Sequence, residues 1–462
     1  MNKRVKIYRK KKQINCFFTL FLFINLVLQL CGYGQTFQKA PFPNFKDNVD
    51  YVSWLRKQVA CTCDNAINAY NLFPGYTNEP TLGFLKPPKE VDDQIDSIIH
   101  NPCSWDPNKL EKLNIYLKGL SNYIDVYSRV ERKNYCLDFP EDTEHLIEVP
   151  LPHLQYSRII TRVITVLAWR QENYHVNSEK FAKRLTSTLE HSNYILQGMS
   201  FAEYLTGNKI REITYDSILA ALNQSFLGCD DVNFLKEFLN NYDSNNVLKG
   251  LTDRLSIGPA DHFDLIQDMT KRKLLSFSSK YKFGRKKVAY WLNLFGYFDG
   301  SFDSSKQPKF PDDILSENPL IIARNMDSYY TQCFNTVKAG FLPNYTSAFK
   351  KLRDEYLSGY RYFELFPLAD MVKLYETSIQ LERKRRIVHL ALHLLDYYHN
   401  NKVFPDNLNQ LQNVKDKAII ADPTSQVSFE YYPAKQKAKL TCPNIEVFSS
   451  ISVNLSGDYG FD

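Results

Sequence analysis

Three side chains in one helical segment are spaced to share a metal ion. His389, His393 and Asp396 stand at i, i+4 and i+7 in the stretch HLALHLLDYYH. At 3.6 residues per turn they fall within an arc of about 60°. A zinc protease would need Glu directly after the first His to serve as general base, and Leu390 occupies that place. Two readings stay open for the trio: a metal site, or the solvated border of an amphipathic helix.

Two runs of cations invite an anionic ligand. The first is Lys271, Arg272 and Lys273 with Lys280, Lys282, Arg285, Lys286 and Lys287; the second is Arg383, Lys384, Arg385 and Arg386. Cations interleaved with core positions on helices are ordinarily a solvated face, which is the competing reading for both. The chain contains no G-x-S-x-G elbow, P-loop, G-x-G-x-x-G turn or EF-hand loop. His153, behind Pro152, and His262 stand at predicted helix starts, where histidines cap or pack. No catalytic triad is assembled by spacing, and no cofactor is implied.

The elements that must hold these groups are mostly helical. The longest runs over about 367–400, where Met371, Leu374, Ser378, Leu381, Arg385, Val388, Leu392 and Leu395 alternate spacings of three and four. That is a heptad-like seam with one arginine in it. Asp106-Pro107 reads as an N-cap followed by a first-turn proline, and Leu113, Tyr116, Leu117, Leu120, Ile124 and Tyr127 form the buried face of the helix behind it. Periodicity predicts further helices at about 51–72, 153–173, 178–206, 208–226, 231–241, 260–276, 285–298, 323–338 and 344–357. After Phe404-Pro405 the period changes to two. Val427, Phe429 and Tyr431 alternate with polar residues, as do Ala438, Leu440 and Cys442, which predicts a small antiparallel hairpin.

Composition sets the class. A chain of 462 residues with 44% hydrophobic and 14% aromatic content can bury a sizeable core. Its formal charge is +6, but residues 1–34 hold Lys3, Arg4, Lys6, Arg9, Lys10, Lys11 and Lys12 and no acid, so the remainder carries a net −1. That remainder has no global footprint for nucleic acid. The same seven cations precede an apolar run from Cys16 to Tyr33. A basic start followed by an apolar run is a signal peptide or a signal anchor, and it predicts contact with a membrane through residues 16–33 and a body on the extracytoplasmic side. Gly32 and Gly34 offer a small-residue cleavage pattern. Beyond this run lie Cys61, Cys63, Cys103, Cys136, Cys229, Cys333 and Cys442, an odd number spread widely, and no disulfide framework follows from them.

The C-terminal third carries a resemblance. The run ERKRRIVHLALHLLDYYHNNKVFPDNLNQL, followed by ADPTSQVSFEYYP, resembles the soluble part of type II secretion pseudopilins. With VPLPHLQYSRIITRVITVLAWR, EYLTGNKIREITYDSILAAL and the early DNAINAYNLFP, it also resembles a family of uncharacterised exported helical proteins of planctomycete-type bacteria, over roughly residues 47–435. The family implies a fold but no activity and no catalytic residues. The pseudopilin likeness stops short of a pilus subunit, because charged residues between Gln380 and Arg386 precede the matching segment where a pilin carries its apolar anchor.

Together these readings predict a mostly α protein. Its parts are a signal peptide or anchor over 1–34, a linker over 35–46, a helical domain over 47–310, a helical region with the long helix over 311–412, and a short antiparallel β element and tail over 413–462. The multi-helix array is open to reading as an irregular solenoid. The function expected is that of an envelope-associated interaction or structural protein with an envelope protein partner. The rivals are an exported hydrolase whose site is assembled from distant residues and a secretion-system accessory protein.

Overall fold

The longest helix fixes the architecture, because its middle is not amphipathic. In a computed structural model of the chain, residues 381–395 are buried one after another, on every side of the helix. A helix buried all round must be enclosed by other elements. The structure describes residues 50–59, 67–68, 86–100, 111–120, 124, 135–136, 152–169, 178–196, 198, 200–241, 247–257, 319–360, 370–411, 417–443 and 450–457. The predicted membrane segment 16–33, the linker 35–46, the helices at 260–276 and 285–298 and the Lys271–Lys287 cations lie outside these residues. Among the described residues no helix is long and apolar enough to cross a membrane.

The described helices are α1 (Tyr51–Val59), α2 (Lys89–His100), α3 (Glu111–Gly119), α4 (Pro152–Trp169), α5 (Ser178–Ile195), α6 (Phe201–Asn223), α7 (Cys229–Asn241), α8 (Val247–Ile257), α9 (Pro319–Lys338), α10 (Tyr345–Gly359) and α11 (Met371–Asn401). Two short strands, β1 (Ile67–Asn68) and β2 (Tyr135–Cys136), pair in parallel. Three more, β3 (Glu430–Pro433), β4 (Lys437–Cys442) and β5 (Ile451–Ser456), form an antiparallel sheet in the order β3-β4-β5. The mostly α class with a C-terminal antiparallel sheet is as the sequence predicts. Residues 43–462 form one compact unit.

Packing joins elements far apart in the chain. Helix α11 lies against α6, α7, α8 and α10, and also against β4 and β5. Helix α6 in turn packs on α4 and α5. One apolar cluster runs from Val91 and Ile95 in α2 through Phe181 and Leu185 in α5 to Leu390 and Leu394 in α11, and on to Leu440, Val453 and Leu455 in the sheet. The sheet is therefore part of the core. Its pleat turns Ala438, Leu440 and Cys442 inward, while Lys437 and Lys439 face solvent.

Several expectations change. The predicted hairpin is a three-stranded sheet, and Val427, expected to face the core, is 55% exposed because the strand begins later, at Glu430. The predicted break near residue 207 falls instead at 196–200. There Ser200 Oγ accepts from the Glu203 backbone N–H at 3.1 Å while Glu203 Oε2 accepts from the Ser200 N–H at 2.8 Å, a reciprocal capping box. Helix α6 then continues straight through Gly207. Helices α2 and α8 were not anticipated at all.

Gly207 has a packing reason. A Cβ there would meet Leu196 Cγ at 2.6 Å and the Ser192 carbonyl oxygen at 3.1 Å. Glycine therefore lets α6 approach the end of α5, at an intrinsic helix cost of about 1 kcal/mol relative to Ala. Gly207→Ala is expected to lower stability by about 1–3 kcal/mol, since overpacking outweighs the gain in propensity. Urea unfolding checks this: a midpoint that rises would mean that Leu196 moves aside freely and that the approach is not tight.

Candidate functional site

The charged run of α11 lies indoors. Arg383 is fully buried, and Glu382, Lys384, Arg385 and Arg386 are nearly so. This overturns the reading of Arg383 to Arg386 as a solvated face. Burying an ion costs several kcal/mol unless partners replace its water, and each of these has partners. Arg383 Nε donates to Asp422 Oδ2 at 2.9 Å and to Cys442 Sγ at 3.2 Å, and its Nη2 donates to the Pro443 carbonyl. Lys384 Nζ reaches Glu212 at 3.0 Å and Asp216 at 2.7 Å on α6. Arg385 takes both oxygens of Glu382 at 2.7 Å. Arg386 donates to Glu382 Oε1 at 2.7 Å and to the Ala421 carbonyl at 2.8 Å.

Four cations thus meet four carboxylates, Glu382, Asp422, Glu212 and Asp216. Asp422 is shaped for this by the loop Asp422-Pro423-Thr424-Ser425. Its Oδ1 accepts from the Thr424 N–H at 2.9 Å, the Thr424 hydroxyl at 2.7 Å and the Ser425 N–H at 3.1 Å. Burial opposes its negative charge, but the Ser425 and Thr424 donors and Arg383 outweigh burial and hold the carboxyl below its usual range. Glu382 is held low in the same way, against burial, by Arg385 and Arg386. The Cys442 thiol is pushed up to about 12, chiefly by burial, and stays protonated and unreactive.

The structure places His389, His393 and Asp396 one turn further along. The two imidazoles neighbour one another, with ring centroids 4.9 Å apart. Both histidines are buried, which excludes the solvated-border reading for them. His389 Nε2 is 3.0 Å from Asn240 Oδ1 on α7, while Asp396 is ion-paired to Lys236 on α7 at 2.7 Å. His389 Nδ1 and His393 Nε2 have no hydrogen-bond partner. No group of three or more His, Cys, Asp or Glu among the described residues is arranged to hold a metal ion. Burial, then the neighbouring His393 and Arg385, push His389 down to about 3; burial, then Lys236, push His393 down to about 4, with Asp396 opposing. Both rings are therefore neutral at pH 7.

A serine–histidine contact also exists, Ser157 Oγ to His191 Nε2 at 3.0 Å between α4 and α5. Both side chains are buried, at 0% and 2% exposure, so no substrate carbonyl can meet the hydroxyl in this conformation.

A more open feature was not legible in the sequence. Between α6 and α11 lies a half-open recess of about 240 Å³ walled by Asn208, Glu212, Glu376, Thr377, Gln380 and Leu381. Asn208 is 1% exposed, and its amide, which makes no close, well-aligned hydrogen bond, has the Tyr204 hydroxyl as its polar neighbour. Burial raises the Glu376 carboxyl above its usual range, with Asp370 adding to the effect. The residues of this wall come from positions four apart on α6 and three or four apart on α11, a pattern that packing on any helix also produces.

Compared with known proteins, the chain matches no family model, no curated protein and no solved structure.

Two outcomes follow from this geometry. Arg383→Met leaves the Asp422 carboxylate buried without its cation and is expected to cost about 3–5 kcal/mol, whereas adding Asp422→Asn should recover at least about 1 kcal/mol. Urea midpoints of the single and double variants measure the difference. Equal losses would assign the stabilisation to the Pro443 carbonyl contact instead.

The histidine pair gives the second. Unfolded histidines protonate near pH 6.5, while the folded pair stays neutral down to about 4 and 3, so between these values the unfolded chain binds more protons. Stability is therefore expected to fall as pH drops from 6.5 towards 4, by at most about 1.4 kcal/mol per pH unit for each ring. Urea midpoints at pH 7, 6 and 5 test this, and the double variant His389→Gln with His393→Gln should flatten the slope.

Proposed function

We propose that the protein is exported and acts at the cell envelope as an interaction or structural protein, its helical body presenting surfaces to a protein partner. The observation that carries this reading is the N-terminal pattern: seven cations and no acid, then the apolar run Cys16 to Tyr33. By the positive-inside rule the body then follows on the far side of the membrane, whether residues 16–33 stay as an anchor or are removed. The body fits a structural role. Its most concentrated charges, Arg383 to Arg386, are bonded to Glu382, Asp422, Glu212, Asp216 and backbone carbonyls, so they stabilise the body instead of facing a substrate. The likeness to uncharacterised exported helical proteins of planctomycete-type bacteria points the same way.

Fractionation of cells producing the full-length chain, followed by crosslinking and pull-down from the membrane fraction, tests both halves. Expected is a protein in the envelope, either resistant to alkaline extraction with residues 16–33 intact or beginning near Gln35, and accompanied by one partner in stoichiometric amount. A full-length protein confined to the cytoplasm would overturn export. An envelope protein that crosslinks to nothing would overturn the interaction role.

A further inference from the structure

The outer face of the C-terminal sheet carries charge that no neighbouring element answers. Strand β4 reads Lys437, Ala438, Lys439, Leu440, so its pleat sends Ala438 and Leu440 into the core and both lysines to solvent. Lys435, exposed in the turn from β3, precedes them at the same spacing. Among the described residues, none of the three ammonium groups has an ion pair or a hydrogen bond. The register gives the reason. Lys439 stands between Tyr432 on β3 and Asn454 on β5, and Lys437 lies between Ala434 and Ser456. No acid stands opposite either lysine.

Fold stability does not call for this pattern. Lysines often blunt the exposed edge of a sheet, but β4 is the central strand. The edges are managed by other means: Pro433 on β3 has no N–H to offer, and on β5 the Asn454 N–H donates to Asn223 Oδ1 at 2.8 Å. Two like charges about 7 Å apart on one face repel, and an acid opposite either of them would stabilise the sheet better.

We infer that this face binds an acidic polysaccharide, with a sugar ring stacked on Tyr432, its carboxylate on Lys439 and Lys437, and a hydroxyl on Asn454. Tyr432, Lys439 and Asn454 form one row across three strands. At about 4.8 Å per strand the row sets an aromatic face, a cation and an amide side by side over about 10 Å. Tyr432 is 58% exposed, which leaves its ring open to the C–H face of a sugar. Glu430, an acid on the same face, accepts from the Tyr432 hydroxyl at 3.4 Å and lies on the side of Tyr432 away from Lys437, so a ligand carboxylate is directed towards the lysines. Clusters that read anionic bilayers use about 4–8 cations. Three lysines fall short of that, and the row holds no aliphatic side chain to insert among lipid tails. Nucleic acid would find no wider positive field to follow, because the chain beyond residue 34 carries a net −1. The inference stands apart from the export reading, since the face binds or fails to bind on either side of a membrane.

Site-resolved lysine acetylation, read by mass spectrometry on the full-length protein in neutral detergent at low ionic strength, tests it with polygalacturonate as the probe and dextran as the neutral control. Expected is acetylation of Lys435, Lys437 and Lys439 slowed at least about threefold by polygalacturonate and unchanged by dextran. The exposed Lys350 and Lys351 on α10 should gain no protection. Because each lysine reports for itself, polymer held by the seven N-terminal cations does not obscure the result. Tyr432→Ala, at an exposed position that folding does not need, is expected to reduce the protection of Lys439 about threefold at subsaturating polymer. Attraction between charges alone would leave that protection unchanged, which would overturn the sugar reading. Absence of protection at the three lysines overturns the proposal, and so does equal protection by phosphatidylglycerol vesicles or by oligothymidylate, which would assign the face to a membrane or to nucleic acid.

Discussion

Four buried cations at consecutive positions of one helix are the constraint on which the rest of the structure depends. Their desolvation would cost several kcal/mol each if they stood alone. The compensating groups come from three places: Glu382 on α11 itself, Glu212 and Asp216 on α6, and Asp422 with the carbonyls of Ala421 and Pro443 beside the sheet. The ion pairs therefore tie α6, α11 and the C-terminal sheet into one register. Sliding α11 by a residue would rotate Arg383 away from Asp422 and Lys384 away from α6, leaving both charges buried and unpaired. An apolar helix of the same length could slide with far less penalty. Beyond this charged stretch, α11 is almost wholly apolar from Ile387 to Leu395 and supplies packing without directional preference. The charged half specifies where the helix sits, and the apolar half supplies most of the burial there.

This division also explains what could be read from residues alone. The helical class, the long C-terminal helix and an antiparallel element after Phe404-Pro405 were legible because period is a local property. Strand β5 and α2, absent from the predicted elements, carry the same kind of local signal: Ile451, Val453 and Leu455 alternate strictly with Ser452, Asn454 and Ser456, and Pro87-Pro88 precede Val91, Ile95, Ile98 and Ile99 at helical spacing. The start of α6 carried a further signal, the S-x-x-E spacing of Ser200 and Glu203, which outweighs a glycine as a boundary marker.

The charged run could not be read in the same way. Four cations in a row look solvated unless the compensating carboxylates are known, and Asp422, Asp216 and Glu212 lie 39, 168 and 172 residues away from their partners. The histidines suffered the converse problem. Their spacing did bring the rings of His389 and His393 together, but Asp396, on the same face by spacing, pairs with Lys236 on α7, a helix whose own period is legible while its place against α11 is not. Spacing on one helix fixes which side chains are neighbours; the opposing helix decides what they do.

The α6–α11 interface applies the same logic to a polar residue instead of a charged one. At the levels of Tyr204 and Glu212 the opposing helix answers each polar group with another. At Asn208 it answers with Leu381. There the amide has the Tyr204 hydroxyl of its own helix as its polar neighbour. Glu376 nearby is a milder case: burial and Asp370 oppose its charge, while Lys350 and a hydrogen bond with Tyr345 partly offset them, so the opposing side again supplies the answer.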